Sequence, residues 1–254
     1  MTTPAIAIGD PVGPEDAPLV VLGPSLGTST ILWQNVVPQL TERFRVVAWD
    51  LPGHGDAPAA TAPFTVADLA DAVTQAVDGP FLYAGISLGG AVGLELMLRH
   101  PSRVRAAVIL ASGAVILTPE VWQERAAQVR AQSTSSLIVG SAQRWFAPGS
   151  IEREPELSGR LLHALQDADD ESYALCCEAL AAYDVQGQLG EIAQPVLAAW
   201  GEHDQVTPEV SAAQIANGVR DGRAAMIADS AHLPAAEQPA ATAALLAEFL
   251  QEAR

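Results

Sequence analysis

Short, wholly apolar runs alternate along the chain with stretches in which apolar residues recur every three or four positions. The runs are Leu19–Leu22, Val46–Trp49, Phe81–Ala84, Ala106–Leu110, Val196–Trp200 and Ala224–Ile227, with a shorter one at Ala5–Ile8 ahead of them. A strand buried on both faces reads as a continuous apolar run rather than as an alternation, so these are predicted strands of a sheet covered on both sides. Between them Val66, Leu69, Ala70, Val73 and Val77 fall at helical spacing behind Thr65-x-x-Asp68, the residues of a capping box. A second helix is predicted over Ala91–His100, ended by Pro101, and a last amphipathic one over Ala240–Leu250 after Pro239. Strands alternating with helices predict an α/β fold with a doubly wound, mostly parallel sheet.

The alternation stops between Thr118 and Gly190. Helical patterns at Pro119–Gln132, Ser135–Phe146 and Ser172–Tyr183 occupy that stretch, with Pro148–Pro155 reading as a connecting loop and no convincing strand. The expected organisation is a core made of residues 1–117 and 191–254, with residues 118–190 inserted as a helical cap over one end of the sheet.

Composition narrows the possibilities. At 254 residues and 49% apolar, the chain affords one large core and is not expected to be disordered. No apolar run reaches the roughly 18–20 residues of a bilayer span. The start, Met1-Thr2-Thr3-Pro4, has neither a basic n-region nor an apolar h-region, so no secretory signal is expected. Cys176 and Cys177 are adjacent, which disfavours a disulfide and fits a reducing cytoplasm. No metal-ligand spacing occurs, and neither metal nor cofactor is expected. The net charge of −17, with 13 Lys plus Arg, argues against nucleic acid or an anionic membrane as partner. It also means that an anionic small molecule would be held by one or two local arginines, not by the global field. The oligomeric state is not legible.

The chemistry concentrates at Gly85-Ile86-Ser87-Leu88-Gly89, between a predicted strand and a predicted helix. Glycines two residues either side of a serine permit a turn tight enough to expose Ser87 Oγ at the strand's carboxyl end, with a helix amino terminus beneath it. A serine hydroxyl needs a base, and the base needs an orienting acid. Two later strands end in suitable loops. Asp204 follows Val196–Trp200 in Gly201-Glu202-His203-Asp204, and His232 follows Met226–Ile227 in Ala228-Asp229-Ser230-Ala231-His232. Glu202 and His203 read as solvated loop residues beside Asp204, and Asp229 as a turn cap. His54, in Gly53-His54-Gly55, reads as a loop histidine packed beside the site. Asp50 is a weaker carboxylate candidate. Charge developing on an attacked carbonyl oxygen requires two backbone donors. Leu88 supplies one, and the loop Gly23-Pro24-Ser25-Leu26-Gly27 the other, through Leu26 in preference to Ser25 because Pro24 has no N–H.

Over nearly its full length the chain resembles the α/β-hydrolase superfamily and, within it, the 3-oxoadipate enol-lactonases. The resemblance rests on Ser25-Leu26-Gly27-Thr28 with Trp33, Gly53-His54-Gly55, Gly85 to Gly90, and Ala231-His232-Leu233-Pro234-x-x-Glu237-Gln238-Pro239. More specific are Arg144-Trp145-Phe146-Ala147-Pro148 and Tyr173 to Leu180 in the cap. It departs at Pro24, where Asn is expected, and at Pro52, where Arg is expected. The resemblance implies a serine nucleophile at Ser87, a base at His232, Asp204 behind it, and an acyl-enzyme formed from a lactone without a cofactor. It places Arg144 against the substrate carboxylate, with Ser25 and Trp145 in the pocket and Trp122 left to the cap seam. Other hydrolases of the same scaffold stay open: an esterase, a haloperoxidase-like enzyme, a carbon–carbon bond hydrolase. So does a ligand-binding receptor with a vestigial site.

Overall fold

A computed structural model describes residues 3–252; Met1 and Thr2, where the chain start was read for a leader, lie outside the described residues, as do Ala253 and Arg254. Seven strands form one sheet: β1 (Ala7–Ile8), β2 (Leu19–Gly23), β3 (Arg45–Asp50), β4 (Phe81–Ile86), β5 (Val104–Leu110), β6 (Pro195–Gly201) and β7 (Asp221–Ile227). Their spatial order is β1-β3-β2-β4-β5-β6-β7; β1 runs antiparallel to β3 and every other neighbouring pair is parallel. Each predicted run coincides with a strand. The register explains where chemistry can gather. Gly23 pairs with Gly85, Ile86 with Leu110, Leu110 with Ala199, and Gly201 with Ile227. The carboxyl ends of β2, β4, β5, β6 and β7 therefore share one edge, and the loops that leave them meet there.

Eleven α-helices occur among the described residues. α1 (Val37–Leu40), α2 (Val66–Ala76) and α3 (Leu88–Arg99) belong to the first half of the sheet. The capping box on α2 forms as predicted: Asp68 N donates to Thr65 Oγ1 at 3.1 Å, and Thr65 N to Asp68 Oδ2 at 2.8 Å. Under α3, the buried Tyr83 donates its hydroxyl to Gly89 O at 2.8 Å, fixing the helix start to β4. Trp33, Trp49, Phe44 and Phe81 are fully buried around the same strands and supply the bulk of that core.

Between β5 and β6 lie α4 (Pro119–Gln132), α5 (Ile138–Trp145), α6 (Ser150–Arg153), α7 (Pro155–Asp167) and α8 (Asp170–Ala181), a purely helical insertion. The stretch expected to be loop at 148–155 holds the short helix α6, and α7 begins at its end with Pro155 at the first helical position. Proline is tolerated there because that N–H has no intrahelical acceptor. The chain returns through β6, α9 (Glu209–Gly218), β7, α10 (Pro234–Glu237) and α11 (Pro239–Glu252). No helix among the described residues is long and apolar enough to cross a membrane.

Candidate active site

Ser87 stands between β4 and α3 at φ 56°, ψ −116°, a region that costs an L-residue energy and persists only where its surroundings over-determine it. Here they do. Ser87 N donates to Leu110 O at 3.0 Å, Ser112 Oγ donates to Ser87 O at 2.7 Å, and Gly89 N donates to Pro24 O at 2.9 Å. The flanking glycines are sterically required: a Cβ on Gly85 would run into the Gly89 carbonyl, and one on Gly89 would stand 2.6 Å from Pro24 O. Leu88 opens α3, and the first amides of a helix have no intrahelical acceptor. Its N–H is available just behind the serine.

Asp204 lies on the loop after β6 and His232 on the loop after β7, and both are buried. His232 Nδ1 is 2.9 Å from Asp204 Oδ2, which also accepts from Thr207 Oγ1 at 2.8 Å. Oδ1 accepts from Val206 N at 2.8 Å and Thr207 N at 3.2 Å. Burial pushes the Asp204 carboxyl up, but the charge and hydrogen bond of His232, with the Thr207 and Val206 bonds, outweigh it and hold the pKa at about 2. An ionised carboxylate accepts only, so the His232 nitrogen facing it, Nδ1, is the one that carries a proton, and in the neutral imidazole the bare nitrogen is Nε2.

Ser25, Leu26, Ser87, Arg144, Trp145 and His232, six of the eight residues given a catalytic, oxyanion or binding role from the sequence, line one narrow cavity of about 20 Å³. Asp204 sits behind His232, and Leu88 lies beneath Ser87, fully buried. Among the described residues no hydrogen bond joins Ser87 to His232; such bonds commonly tighten only when substrate is bound. A cavity of this size holds about one water molecule, so any acyl substrate needs side chains to move.

Five further residues line the cavity: Trp122, Arg125, Ser141, Tyr173 and Val206. Trp122, assigned to the seam on sequence, thus faces the site together with Trp145. Arg125 carried no sequence signal of its own, although its place three residues after Trp122 puts the two on one helix face. Its guanidinium lies 4.7 Å from the Trp122 ring centroid.

The remaining candidates lie elsewhere. Asp50 accepts from Thr30 N at 2.7 Å and Asp56 N at 3.1 Å, and so folds the loop after β3. His54 stacks on Tyr173 with centroids 6.0 Å apart; burial drives its pKa down to about 4, and its Nε2 has no partner. It is a neutral packing residue behind the cavity wall. Glu202, His203 and Asp229 approach one another on the exposed surface, the one group among the described residues that offers three possible metal ligands.

Comparison with known proteins bears on this geometry. The model of the family described as alpha/beta hydrolase fold matches residues 18–239. The chain is 32% identical over 233 residues to 3-oxoadipate enol-lactonase 2 of Acinetobacter baylyi, covering 90% of this chain and 87% of that protein. It is 29% identical to a pimeloyl-[acyl-carrier protein] methyl ester esterase of Neisseria meningitidis, covering 94% of this chain and 95% of that one. Among solved structures, the enol-lactonase from Burkholderia xenovorans LB400 superposes with a TM-score of 0.94 at 29% identity, covering 98% of this chain and 97% of that one.

Proposed function

Because the chain belongs to the α/β-hydrolase fold family and is a carboxylic ester hydrolase, we propose that it opens the ring of an enol-lactone bearing a carboxylate, of the 3-oxoadipate enol-lactone type. The observation that carries the reading is the 2.9 Å bond from His232 to a deeply ionised Asp204, in loops that put His232 on the same cavity wall as Ser87.

His232 Nε2 takes the Ser87 hydroxyl proton as Oγ attacks the lactone carbonyl. The oxyanion is received by the amides of Leu88 and Leu26, and Asp204 stabilises the imidazolium. Collapse breaks the ring C–O bond, and His232 returns its proton to the departing enol oxygen, a better leaving group than an alkoxide. Water, deprotonated by the same imidazole, then attacks the acyl–Ser87 ester, His232 returns that proton to the departing Ser87 Oγ, and the enol tautomerises to the ketone. Residues 118–190 serve as the cap that closes over this chemistry, and Arg144 pairs with the substrate carboxylate beside Ser25 and Trp145. The two buried, adjacent cysteines are in keeping with work in a reducing cytoplasm.

The test is loss of enol-lactone absorbance on adding enzyme, with Ser87→Ala as control and methyl esters as competitors. Turnover of the lactone above that of the esters, abolished in the variant, is expected. Faster turnover of a methyl ester would replace the lactonase reading with an esterase one.

A further inference from the structure

Two arginines stand where the narrow cavity beside Ser87 meets the surface. Arg125 on α4 and Arg144 on α5 line the cavity of about 20 Å³ with Ser87 and His232. Both also line a groove of about 250 Å³ on the outer side of the insertion, together with Val121, Gln128 and Ser136. Among the described residues only these two line both spaces. Their side chains are therefore what separates the groove from the reactive serine.

Their charges are not neutralised by any partner among the described residues. Neither guanidinium has a hydrogen bond or an ion pair with a carboxylate among the described residues, and both are half-buried. Arg130, further along α4, is the contrast: it is paired with Glu171 at 2.7 Å and Glu178 at 2.5 Å. One carboxylate, that of the exposed Glu124, borders the groove. Burial and the neighbouring Arg125 charge both lower the proton affinity of Arg144, as expected of two like charges placed close together and partly out of water. Each is also held from behind. Arg125 rests on the Trp122 ring, and the Arg144 fork lies over Gly140, where an added Cβ would stand 3.1 Å from Nη1. Keeping two half-buried like charges together is costly unless an anion lies between them. In a chain of net charge −17, such a pair is also the local means of admitting an anion that the protein as a whole repels.

We infer that Arg125 and Arg144 form a two-guanidinium gate for acyl substrates that carry a carboxylate a short chain away from the scissile carbonyl. The carboxylate is received in the groove by both side chains, and their displacement opens the chamber. It stays between them while the ester or lactone carbonyl reaches Ser87. The inference rests on the hydrolase reading and adds Arg125 as a residue that determines specificity.

A matched pair of esters separates the two ideas: mono-p-nitrophenyl glutarate, which carries the carboxylate, and p-nitrophenyl valerate, which does not. The wild-type protein should favour the glutarate ester in kcat/KM, with the preference falling as NaCl is raised. In Arg125→Gln the glutarate-to-valerate ratio should fall about tenfold or more, mainly through KM, as expected for one lost charge-assisted contact. Arg130→Gln, on the same helix but paired outside the site, should keep the wild-type ratio. Free glutarate should inhibit valerate hydrolysis by the wild-type protein competitively, a readout that needs no variant to fold. An unchanged ratio in Arg125→Gln, a wild-type preference for the neutral ester, or no inhibition by glutarate overturns the gate and leaves the hydrolase reading standing. Wild-type inactivity on both esters and on the lactone overturns that reading, and the gate with it.

Discussion

Asp204→Asn separates the charge of this residue from its shape, and the hydrogen bonds decide which way the new amide must face. Oδ1 accepts from two backbone amides, Val206 N and Thr207 N. Were the amide nitrogen placed there, two buried donors would lose their acceptor at about 1–3 kcal/mol each. The nitrogen is therefore expected at the Oδ2 position, facing Thr207 Oγ1 and His232 Nδ1. The Thr207 hydroxyl can rotate to accept. His232 Nδ1 can accept only by giving up its proton, which moves the proton to Nε2 and removes the acceptor that Ser87 requires. The charge is lost as well: at an effective dielectric of about 20 and about 4 Å, a carboxylate stabilises an imidazolium by about 4 kcal/mol, or about 10³ in rate. The two effects together predict a kcat loss of about 10³–10⁴, in line with the same exchange in other serine hydrolases.

The stability cost of this substitution should be far smaller. The fall of the Asp204 pKa from 3.8 to about 2 corresponds to about 2 kcal/mol at neutral pH. At about 2–4 °C per kcal/mol for a chain of this size, Tm should drop by about 4–8 °C. Lactone or aryl-ester turnover, with thermal melts monitored by circular dichroism, reads both quantities on one sample. A folded Asp204→Asn protein whose kcat stays within about tenfold of the wild type would refute the role assigned to the carboxylate.

Three further outcomes are expected. The Asp204 pKa is depressed in the fold, so its contribution is present above pH 3.8 and lost as pH falls through about 2; urea melts should show the wild type losing about 2 kcal/mol more than Asp204→Asn over that interval. Gly89→Ala places a Cβ 2.6 Å from the Gly23 carbonyl carbon and Pro24 O, both backbone atoms that cannot swing aside, so Tm should fall by several degrees and ester turnover should collapse; an active, equally stable variant would contradict the packing described. Gly159→Ala, inside α7 with nothing within 4 Å of the added carbon, should raise stability by about 0.5–1 kcal/mol, measured as a Tm increase of about 1–4 °C.

What the sequence makes legible follows the physics of each signal. The five inner strands, β2 to β6, are mainly buried and leave apolar runs; the edge strands β1 and β7, half-buried to exposed, were legible only as the short runs Ala5–Ile8 and Ala224–Ile227, and the capping box gave the start of α2 to the residue. Ser87, Asp204 and His232 could be picked out as one candidate set because each lies in the turn or loop that follows a strand, and parallel strands in register bring their carboxyl ends together. The blank stretch was 155–167. Leu157, Leu161 and Leu165 do form a buried stripe at four-residue spacing there, but Gly159 and the surrounding charges dilute it. Arg125 stayed hidden for a different reason. Its importance comes from what α5 brings opposite it, a tertiary juxtaposition with no trace in local spacing.

Glu237 shows the same limit and bears on how the chamber opens. In the sequence it is one matching letter after His232; in the fold it is a buried carboxylate between the His232 loop and the inserted helices. Oε1 accepts from Ala231 N at 2.7 Å, and Oε2 accepts from Ala147 N at 2.6 Å and Ser150 Oγ at 2.8 Å. Leu233 N adds a bond to Trp145 O at 3.2 Å. Burial pushes the Glu237 carboxyl up while these donors pull it down, and burial prevails. Backbone from 145 to 150 is thereby tied on both sides of His232, and shifting it would drag the imidazole off Asp204. A cavity of about 20 Å³ must nevertheless widen to admit any ester or lactone. The movement that leaves the His232–Asp204 pair undisturbed is that of side chains not pinned by hydrogen bonds, and on the wall facing the outer groove those are Arg125 and Arg144.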